Sequence, residues 1–426
     1  MTAPVSGWGR YPVVTAPLIA ADDLRSARAA VRRIPSLIAR GAGRAYGDAA
    51  LNATAMLHMP RADHVLAFDP HQGLLEIETG AILHDLLPWL LSYGWFVPVT
   101  PGTAQVSIGG MIAADVHGKN HLGAGTFGGH VCQITILLAD GSLLRCSAAD
   151  HPDLFWGSIG GMGLTGVIMA AQLQLLRVPG EMIEQTSIKT RDLDETLAVS
   201  EASRDATYSV AWIDCLGQGR GVVFRGQHAP GAAPNPRRPR NIPLNLPAFT
   251  LNRLSIAAFN QAYYHTQTSQ TAPIDYRRFF YPLDALQNWH RLYGAPGLVQ
   301  FQCVLPHEAS KSGIRALLAE IVRHGQGSFL AVLKLCGAEG QGLLSFPRPG
   351  FSLALDFPAS PAIFALLKRL DAITLDHGGR LYLAKDSCAG PQSLRHYQRL
   401  DEFRRVREIY DPMRRFDSLL AQRLEI

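Results

Sequence analysis

The sequence is poor in lysine and lacks several patterns that mark common protein classes. Only six of its 40 basic residues are lysine. Its six cysteines are scattered without a C-x-x-C pair, so neither a zinc site nor a disulfide framework is predicted, and a reducing compartment is favoured. No run reaches the ~18 apolar residues of a membrane-spanning helix. The N-terminus lacks the basic patch and apolar run of a signal peptide, so we expect a cytoplasmic protein.

Length and composition indicate a globular protein of two domains. The chain has 426 residues, 47% hydrophobic and 18% charged, which is too long for one compact core and too apolar for disorder. The net charge of +5 favours anionic partners without naming one. Asp140-Gly141 predicts a hairpin within 133–147. After Pro179-Gly180, strand and helix candidates alternate, and RLYLAKD (380–386) is predicted to be a strand.

The segment 228–247 is rich in proline and contains three arginines, at 237, 238 and 240. Proline excludes a regular element, so a solvated surface loop is the default prediction. A lid, or a contact with an anionic surface, is the alternative. The same arginines are the only support for a non-enzymatic anion-binding protein. Because no aromatic-rich basic stripe accompanies them, no nucleic-acid partner is predicted.

Three glycine-rich segments stand out, at 41–48, 101–121 and 160–168. The first has the spacing G-x-G-x-x-x-G, which differs from the G-x-G-x-x-G of a nicotinamide Rossmann site. Its unobstructed N–H groups would suit phosphate oxygens, and a tight turn without a ligand is the alternative. Three such segments favour a long, diphosphate-bearing cofactor over glycines that serve only close packing.

The three segments resemble a known flavoprotein family. R-G-x-G-R-x-Y-G-D (40–48), P-G-T-x-Q-V-x-x-G-G-x-I-A-x-D-x-H-G-K-N-H (101–121) and D-L-F-W-x-x-x-G-G-x-G-L-T-G (153–166) are similar to the FAD domain of the vanillyl-alcohol-oxidase (PCMH) type. More narrowly, with K-L-C-G (334–337) and G-G-R-L-Y-L-A-K-D-S (378–387), they resemble decaprenylphosphoryl-β-D-ribose oxidases. The resemblance covers nearly the whole chain. It implies an α+β fold, with an FAD domain (1–178, completed by 380–426) and an inserted antiparallel-sheet substrate domain (179–379).

The family resemblance also implies FAD, and a non-covalent one, because Arg44-Ala45-Tyr46 lacks the histidine that many relatives link to the flavin. His117 and Tyr382 are expected beside the isoalloxazine, and ordinary core residues are the alternative for both. The cofactor-binding residues that the resemblance implies are Arg40, Gly41, Ala42, Gly43, Arg44, Ala45, Tyr46, Gly47, Asp48, Gly102, Ser107, Ile108, Gly109, Gly110, Ala114, Asp115, His117, Gly118, Gly161, Gly166, Val167, Ile168 and Tyr382.

The implied reaction is oxidation of a secondary alcohol, with hydride passing to the flavin and the hydroxyl proton to a base. Lys385 is the predicted catalytic residue, together with His117. A lysine suits the role as a base of lowered pKa or as a cation beside the developing alkoxide. A surface pair of Lys385 with Asp386 is the alternative. In a regular strand Tyr382 and Lys385 would point to opposite faces, so both can reach the flavin only if the strand bends or ends there.

The resemblance implies a substrate pocket lined by Lys119, Trp212, Phe280, Tyr281, Gln300, Gln302 and Lys334. Gln300 and Gln302 share one face of a strand, which faces either sugar hydroxyls or water. Trp212 has a place in the core as its alternative. Three positions depart from the family pattern, because its pocket tyrosine is Phe280 here, its asparagine is Ser352, and the cysteine of mycobacterial members is Ala354. Inhibitors that react with that thiol should not react with this protein.

Two enzymatic functions are compatible with the resemblance. The favoured one is oxidation of the 2-hydroxyl of a polyprenylphosphoryl-β-D-ribose to the 2-keto sugar, the first half of an epimerisation in cell-wall biosynthesis. A short-chain NAD(P)-dependent reductase would then be the partner, and peripheral contact with the inner membrane is an additional hypothesis. The alternative is a soluble alditol or aldonolactone oxidase that produces hydrogen peroxide.

Overall fold

The computed structural model describes residues 2–59, 61–236 and 238–426. Met1 and Pro60 of the predicted FAD domain, and Arg237 of the proline-rich segment, therefore lie outside the described residues. The first sheet has four strands: β1 Thr2–Ser6, β2 Val13–Ala20, β3 Ile38–Ala39 and β4 Met56–His58. Their order is β1-β2-β4-β3, with β2, β4 and β3 parallel. The glycine loop 41–47 therefore leaves the sheet directly after its edge strand β3.

A second, antiparallel sheet occupies the remainder of the first 178 residues. The strands of this region are β5 Val65–Asp69, β6 Leu74–Glu78, β7 Trp95–Phe96, β8 Val131–Leu137, β9 Leu143–Ser147, β10 Val167–Gln174 and β11 Leu176–Arg177. Five of them form the sheet β5-β6-β10-β8-β9, and β7 pairs with β11. The predicted hairpin at Asp140-Gly141 is confirmed, since it joins β8 to β9 with Gly141 at a φ of +82°.

The following 200 residues contain one large antiparallel sheet and a separate pair of short parallel strands. Their strands are β12 Met182–Thr190, β13 Tyr208–Ile213, β14 Gly221–Ala229, β15 Arg240–Asn241, β16 Gln270–Asp275, β17 Leu286–Gln287, β18 Leu298–Pro306, β19 Ala331–Cys336, β20 Gly350–Pro358 and β21 Arg380–Leu381. The eight-stranded sheet has the order β16-β12-β14-β13-β19-β20-β18-β21, and β15 pairs with β17.

The helices lie between these strands along the chain. They are α1 Leu24–Arg33, α2 Leu83–Ser92, α3 Ile108–Ala113, α4 His121–Ala124, α5 Pro152–Ser158, α6 Leu193–Glu201, α7 Arg253–Thr266, α8 Tyr276–Phe280, α9 His307–His324, α10 Pro361–Asp376, α11 Leu400–Tyr410 and α12 Leu419–Leu424. Helices α9 and α10 pack on the large sheet. Among the described residues, no helix combines the length and the apolar character that crossing a membrane requires.

The strand β18 is buried along its whole length, and its two faces have different neighbours. Val299, Phe301, Cys303 and Leu305 belong to the apolar core that α9 and α10 cover. The alternate residues face the other way, toward the first 178 residues and the C-terminal segment, where Val304 joins a separate core. Buried polar side chains need partners, so we expect the functional site on the face of β18 that carries Gln300 and Gln302.

The predicted strand 380–386 is only partly correct, because β21 ends at Leu381. The backbone N–H groups of Lys385 and Asp386 both donate to the Tyr382 carbonyl, at 2.9 and 3.0 Å, and so close a turn. The predicted boundary at 380 falls on β21, which pairs with β18 of the large sheet. The division into domains 1–178 with 380–426, and 179–379, remains a prediction.

Candidate active site

The glycine loop 41–47 packs closely against the side chains of Ser107 and Arg40, and the N–H groups of its first five residues have no protein partner in the described chain. A Cβ at Gly41 would lie 2.0 Å from the Ser107 hydroxyl, and one at Gly43, whose φ is +66°, would lie 2.5 Å from the Arg40 guanidinium. Arg40 itself donates to the Ser6 carbonyl at 2.7 Å. Within the described chain, no hydrogen bond uses the N–H groups of residues 41–45. The loop thus offers a run of donors for an anionic ligand.

The far end of this loop meets the turn that carries Lys385. The Tyr46 N–H donates to the Ala384 carbonyl at 3.1 Å, and a Cβ at Gly47 would lie 2.0 Å from the Asp386 carbonyl oxygen. Asp48 and Asp386 are both bound by the guanidinium of Arg423, each at 2.8 Å. Asp386 therefore pairs with Arg423, so the predicted alternative of a Lys385–Asp386 surface pair is wrong.

The second glycine segment builds a short helix whose first donors are already satisfied. Ser107 caps α3, and the N–H groups of Ile108 and Gly109 donate to the Ala81 and Thr79 carbonyls at 3.0 and 2.8 Å. Buried Asp115 accepts from the Gly128 N–H at 2.8 Å. These contacts are structural, and cofactor contacts of the same residues remain a prediction.

Two glycines of this segment differ in the space around them. A Cβ at Gly102 would meet nothing within 4 Å, whereas one at Gly118 would lie 2.7 Å from the Asn120 side chain. Ala114 offers its carbonyl oxygen to the Tyr382 hydroxyl at 2.9 Å. The middle of the segment, at Ala114, therefore contacts Tyr382 at the start of the turn that carries Lys385, whereas Gly102 borders open space.

The third segment has a packing reason for its glycines. A Cβ at Gly161 would lie 2.1 Å from the Gly157 carbonyl, and one at Gly166, at a φ of +156°, would lie 2.7 Å from Ile136. Val167 and Ile168 begin β10 and pair with β8. Close packing against neighbouring segments of the same chain explains the two glycines. A role of these residues in cofactor binding remains a prediction.

His117 lies at the centre of the buried polar face. The Gln302 amide donates to its Nε2 at 3.0 Å and to the Ser352 hydroxyl at 3.2 Å. The rings of Tyr382 and Phe346 lie 5.1 and 5.3 Å from the imidazole. Burial, and then the positive charge of Lys334, lowers the pKa of His117 well below its usual value. The imidazole is neutral, and its buried Nδ1 has no protein partner among the described residues.

Strand register places four of the seven predicted pocket residues on one face of four adjacent strands. Trp212 of β13 lies opposite Val332 of β19, Val332 lies opposite Ala354 of β20, and Ala354 lies opposite Gln302 of β18. Because opposed residues of antiparallel strands point to the same side, the set shares a face. The remaining members by the same register are Lys334, Ser352, Asp356 and Gln300. Gln300 and Gln302 are both buried, so a water-facing position for them is excluded.

Three of the six lysines converge on this face. Burial, together with repulsion from the positive charge of Lys334, lowers the pKa of Lys119 to about 7. Burial also lowers the pKa values of Lys334 and Lys385, and the pKa of His121 falls to about 4 for the same reason. Within the described chain, none of these lysines has an acidic group within 4.0 Å, since the only lysine ion pair belongs to Lys311. With three lysines and one buried carboxyl group, that of Asp356, the face is electropositive and suited to an anion.

Lys385 has an aromatic and an acidic neighbour. Its Nζ lies 3.8 Å from the centroid of the Tyr46 ring. The fully buried carboxylate of Asp356 accepts from the Gln300 amide and keeps its second oxygen without a partner among the described residues. Burial lowers the pKa of Lys385, whereas the Asp356 charge acts against that decrease. The amine is thus held close to the balance between its neutral and charged forms.

The comparisons with known proteins agree with this geometry. Residues 20–147 match a family model described as an FAD binding domain. The chain is 35% identical to decaprenylphosphoryl-β-D-ribose oxidase of Mycolicibacterium smegmatis, over 100% of this chain and 98% of that protein. It belongs to the decaprenylphosphoryl-β-D-ribose oxidase family. Mouse L-gulonolactone oxidase is 30% identical over only 38% of each chain, and an uncharacterized Streptomyces coelicolor protein is 34% identical over 80% of this chain and 99% of its own length.

Members of the decaprenylphosphoryl-β-D-ribose oxidase family are flavoproteins, and this chain is an FAD-dependent oxidoreductase with the predicted α+β fold. The residues present fit the cofactor. The free N–H groups of residues 41–45 suit a diphosphate, and Arg44, held 4.2 Å above the Trp8 ring, has a buried Nε that lacks a protein partner within the described chain. The orphaned Nδ1 of His117 also requires a partner that the described protein does not supply.

Three predicted pocket residues of the oxidase are more deeply engaged with protein than expected. The Trp212 indole N–H donates to the Phe329 carbonyl at 3.0 Å, and its ring lies 4.7 Å from Tyr263. Phe280 is 1% exposed and packs among aromatic rings. The Tyr281 hydroxyl bonds to the Thr100 hydroxyl at 2.6 Å. Their direct contact with substrate therefore remains a prediction.

Sequence reasoning missed two residues that organise the site. Asp356 shares the face of Gln300 by register, so the alternation of LALDFP contains the signal for it. Arg423 offered no local signal, because its partners Asp48 and Asp386 are 375 and 37 residues away.

Proposed function

We propose that this oxidase removes two hydrogens from the 2-hydroxyl carbon and oxygen of a polyprenylphosphoryl-β-D-ribose and so forms the 2-keto sugar. The observation that carries the proposal is the electropositive face, on which Lys119, Lys334 and Lys385 lie without ion pairs in the described chain. Such a face favours a phosphate-bearing substrate over a neutral sugar. The full-length similarity to a relative named for this substrate supports the same choice.

Lys385 is the group that we assign to proton removal. Its lowered pKa makes a neutral amine accessible near neutral pH, and the neutral amine takes the hydroxyl proton to become an ammonium. FAD, when bound, supplies the acceptor for the hydride from the carbinol carbon. The Tyr46 ring and the Asp356 carboxylate then stabilise the ammonium that has formed.

His117 has a supporting role in this proposal. Its imidazole is held neutral by burial and by the neighbouring lysines, and the Gln302 amide fixes its orientation. A neutral imidazole whose Nδ1–H lacks a protein partner within the described chain can donate one hydrogen bond to the cofactor or the sugar. Gln300, Lys119 and Lys334 are proposed to bind the hydroxyls and the phosphate.

We further propose that the FAD is not covalently attached. The loop position where many relatives carry the linking histidine is occupied by Arg44, Ala45 and Tyr46. Denaturation in acid should release all of the flavin into the supernatant, and flavin retained by the precipitated chain would contradict this proposal. A cytoplasmic location and a short-chain NAD(P)-dependent reductase that completes the epimerisation are part of the same proposal.

Anaerobic reduction of the flavin tests the substrate assignment. A polyprenylphosphoryl-β-D-ribose should bleach the flavin absorbance, whereas xylitol and L-gulonolactone should leave it unchanged at the same concentration. Bleaching by the free polyol or lactone alone would instead support an alditol or aldonolactone oxidase. That alternative has the weaker support, because the lactone oxidase match covers 38% of this chain.

A further inference from the structure

Five exposed large apolar side chains lie outside the active site, on the segment between β15 and β16. They are Leu244, Leu246, Phe249, Leu254 and Phe259, which we call the α7 patch. Leu254 is 81% exposed, Phe249 is 77% exposed and Leu244 is 75% exposed. Large side chains exposed together within sixteen residues are rare on a soluble surface and mark a contact with another apolar body.

The helix α7 is firmly held and yet unusually apolar on its outer side. Asn260 donates to the Asp214 carboxylate at 2.8 Å, and Asn252 and Ser255 form a capping box at its start. Between Arg253 and His265 the helix has no charged residue, although most of its side chains are exposed. An exposed helix of a soluble protein normally turns charged residues outward. The exposed side of α7 therefore lacks the charged residues that a water-facing helix normally carries.

The surroundings of the patch are positively charged. Residues 228–274 contain four arginines and neither aspartate, glutamate nor lysine. Of these arginines, Arg238, Arg240 and Arg253 are exposed, and none forms an ion pair in the part of the chain that the structure describes. Apolar side chains flanked by unpaired arginines are the chemistry that binds the surface of an anionic lipid bilayer.

An aromatic path connects the α7 patch to the lysine of the active site. The Phe259 ring lies 5.4 Å from Phe329, which lies 5.5 Å from Tyr293. Tyr293 and Tyr46 belong to one buried cluster, and the Tyr46 ring holds Lys385. Neighbouring aromatic side chains thus extend from Phe259 of the patch to Tyr46, beside the proposed base.

We propose that the α7 patch docks on a bilayer of anionic phospholipid. The docked enzyme would leave the prenyl chain of its substrate in the bilayer while the sugar reaches Lys385. This inference rests on the proposed function, because only a lipid-linked substrate gives such docking a purpose. Binding of a protein partner or of a second copy of this chain is the alternative, and that binding would not depend on anionic lipid.

Vesicle binding by the FAD-loaded protein tests the docking. The wild type should sediment with vesicles of equal parts phosphatidylglycerol and phosphatidylcholine, and weakly with phosphatidylcholine alone. The double variant Phe249→Ser/Leu254→Ser should bind at least about tenfold more weakly, because two large side chains no longer leave water. The matched control is Ile409→Ser/Met413→Ser, which removes two exposed apolar residues elsewhere and should bind as the wild type does.

Kinetics separate this inference from the proposed function. With a water-soluble, short-chain prenylphosphoryl ribose the patch variant should match the wild type in kcat/KM, and with a long-chain substrate in vesicles it should lose about tenfold or more. Failure of the wild type to oxidise the soluble analogue would refute the proposed function. Sedimentation with vesicles would still test the docking, because it does not depend on activity.

Two results would overturn the docking itself. One is equal vesicle binding by the patch variant and the wild type, or no binding by either. The other is a change of oligomeric state in the patch variant by light scattering without a change in vesicle binding, which would identify the patch as a protein interface. Flavin content and circular dichroism confirm that each variant is folded.

Discussion

The ring of Tyr46 provides a direct test of the role of Lys385. The ammonium nitrogen lies 3.8 Å from the ring centroid, which is close enough for a cation–π interaction. In a desolvated site such an interaction is worth about 1–2 kcal/mol and stabilises only the charged lysine. Because ~1.4 kcal/mol corresponds to one pKa unit, replacing the ring by Tyr46→Leu should lower the pKa of Lys385 by about one unit.

The sign of the effect on the rate follows from the role as a base. A base must be neutral, so flavin reduction should accelerate as the pH rises through the pKa of Lys385. In Tyr46→Leu that acidic limb should move to lower pH by about one unit. Tyr46→Phe is the matched control, since it keeps the ring and loses only the hydroxyl, and its acidic limb should stay in place. Anaerobic stopped-flow reduction at saturating substrate measures both profiles.

Two outcomes would refute this reasoning. An acidic limb that does not move in Tyr46→Leu would mean that another group titrates. A rate that falls as the pH rises would mean that Lys385 acts as a cation beside the alkoxide. Flavin content must be measured for each variant, because Tyr46 also lies in the loop predicted to bind the cofactor.

Three further predictions concern the lysine, its anchor and a buried histidine. Lys385→Ala should abolish flavin reduction while the flavin stays bound, and normal turnover would exclude Lys385. Arg423→Met should lower the free energy of unfolding by about 3–5 kcal/mol in urea titrations, because it leaves the carboxylates of Asp48 and Asp386 without their partner; a loss below about 1 kcal/mol would show that the ion pairs contribute little. His121 has a folded pKa of about 4, below its unfolded value of about 6.5, so its contribution to stability is lost as the pH falls through that window. In His121→Asn the free energy of unfolding should fall less steeply from pH 6.5 to pH 4 than in the wild type, and an equal slope would contradict the assignment.

Local patterns in the sequence predicted the parts of the site that depend on alternation. The spacing of Gln300 and Gln302 placed both on one face of β18, and the structure confirms it. The pattern could not show that neither face of β18 meets water. Both faces are buried, and α9 and α10 cover the face of the odd-numbered residues. The same alternation in β20 places Asp356 opposite Gln300, on the face that the two glutamines share.

The turn after β21 shows where local patterns fail. The residues Arg380 to Asp386 read as an apolar strand without glycine, proline or asparagine to stop it. The strand ends because Tyr382 offers its carbonyl to the N–H groups of Lys385 and Asp386, and because Arg423 holds Asp386 in place. A clamp supplied from the last turn of the chain is a tertiary effect, and propensity does not contain it.

The choice of lysine in a chain that otherwise uses arginine follows from this chemistry. Three of the six lysines lie on the electropositive face, whereas the buried arginines have protein partners: Arg380 binds Glu339 and the His396 carbonyl, and Arg407 binds the Phe416 carbonyl. An arginine stays charged at any physiological pH, so it can neutralise an anion but cannot accept a proton there. A lysine can do both when burial lowers its pKa, as at Lys385. The buried charge is costly without a ligand, so the anionic substrate and cofactor stabilise the site that they occupy.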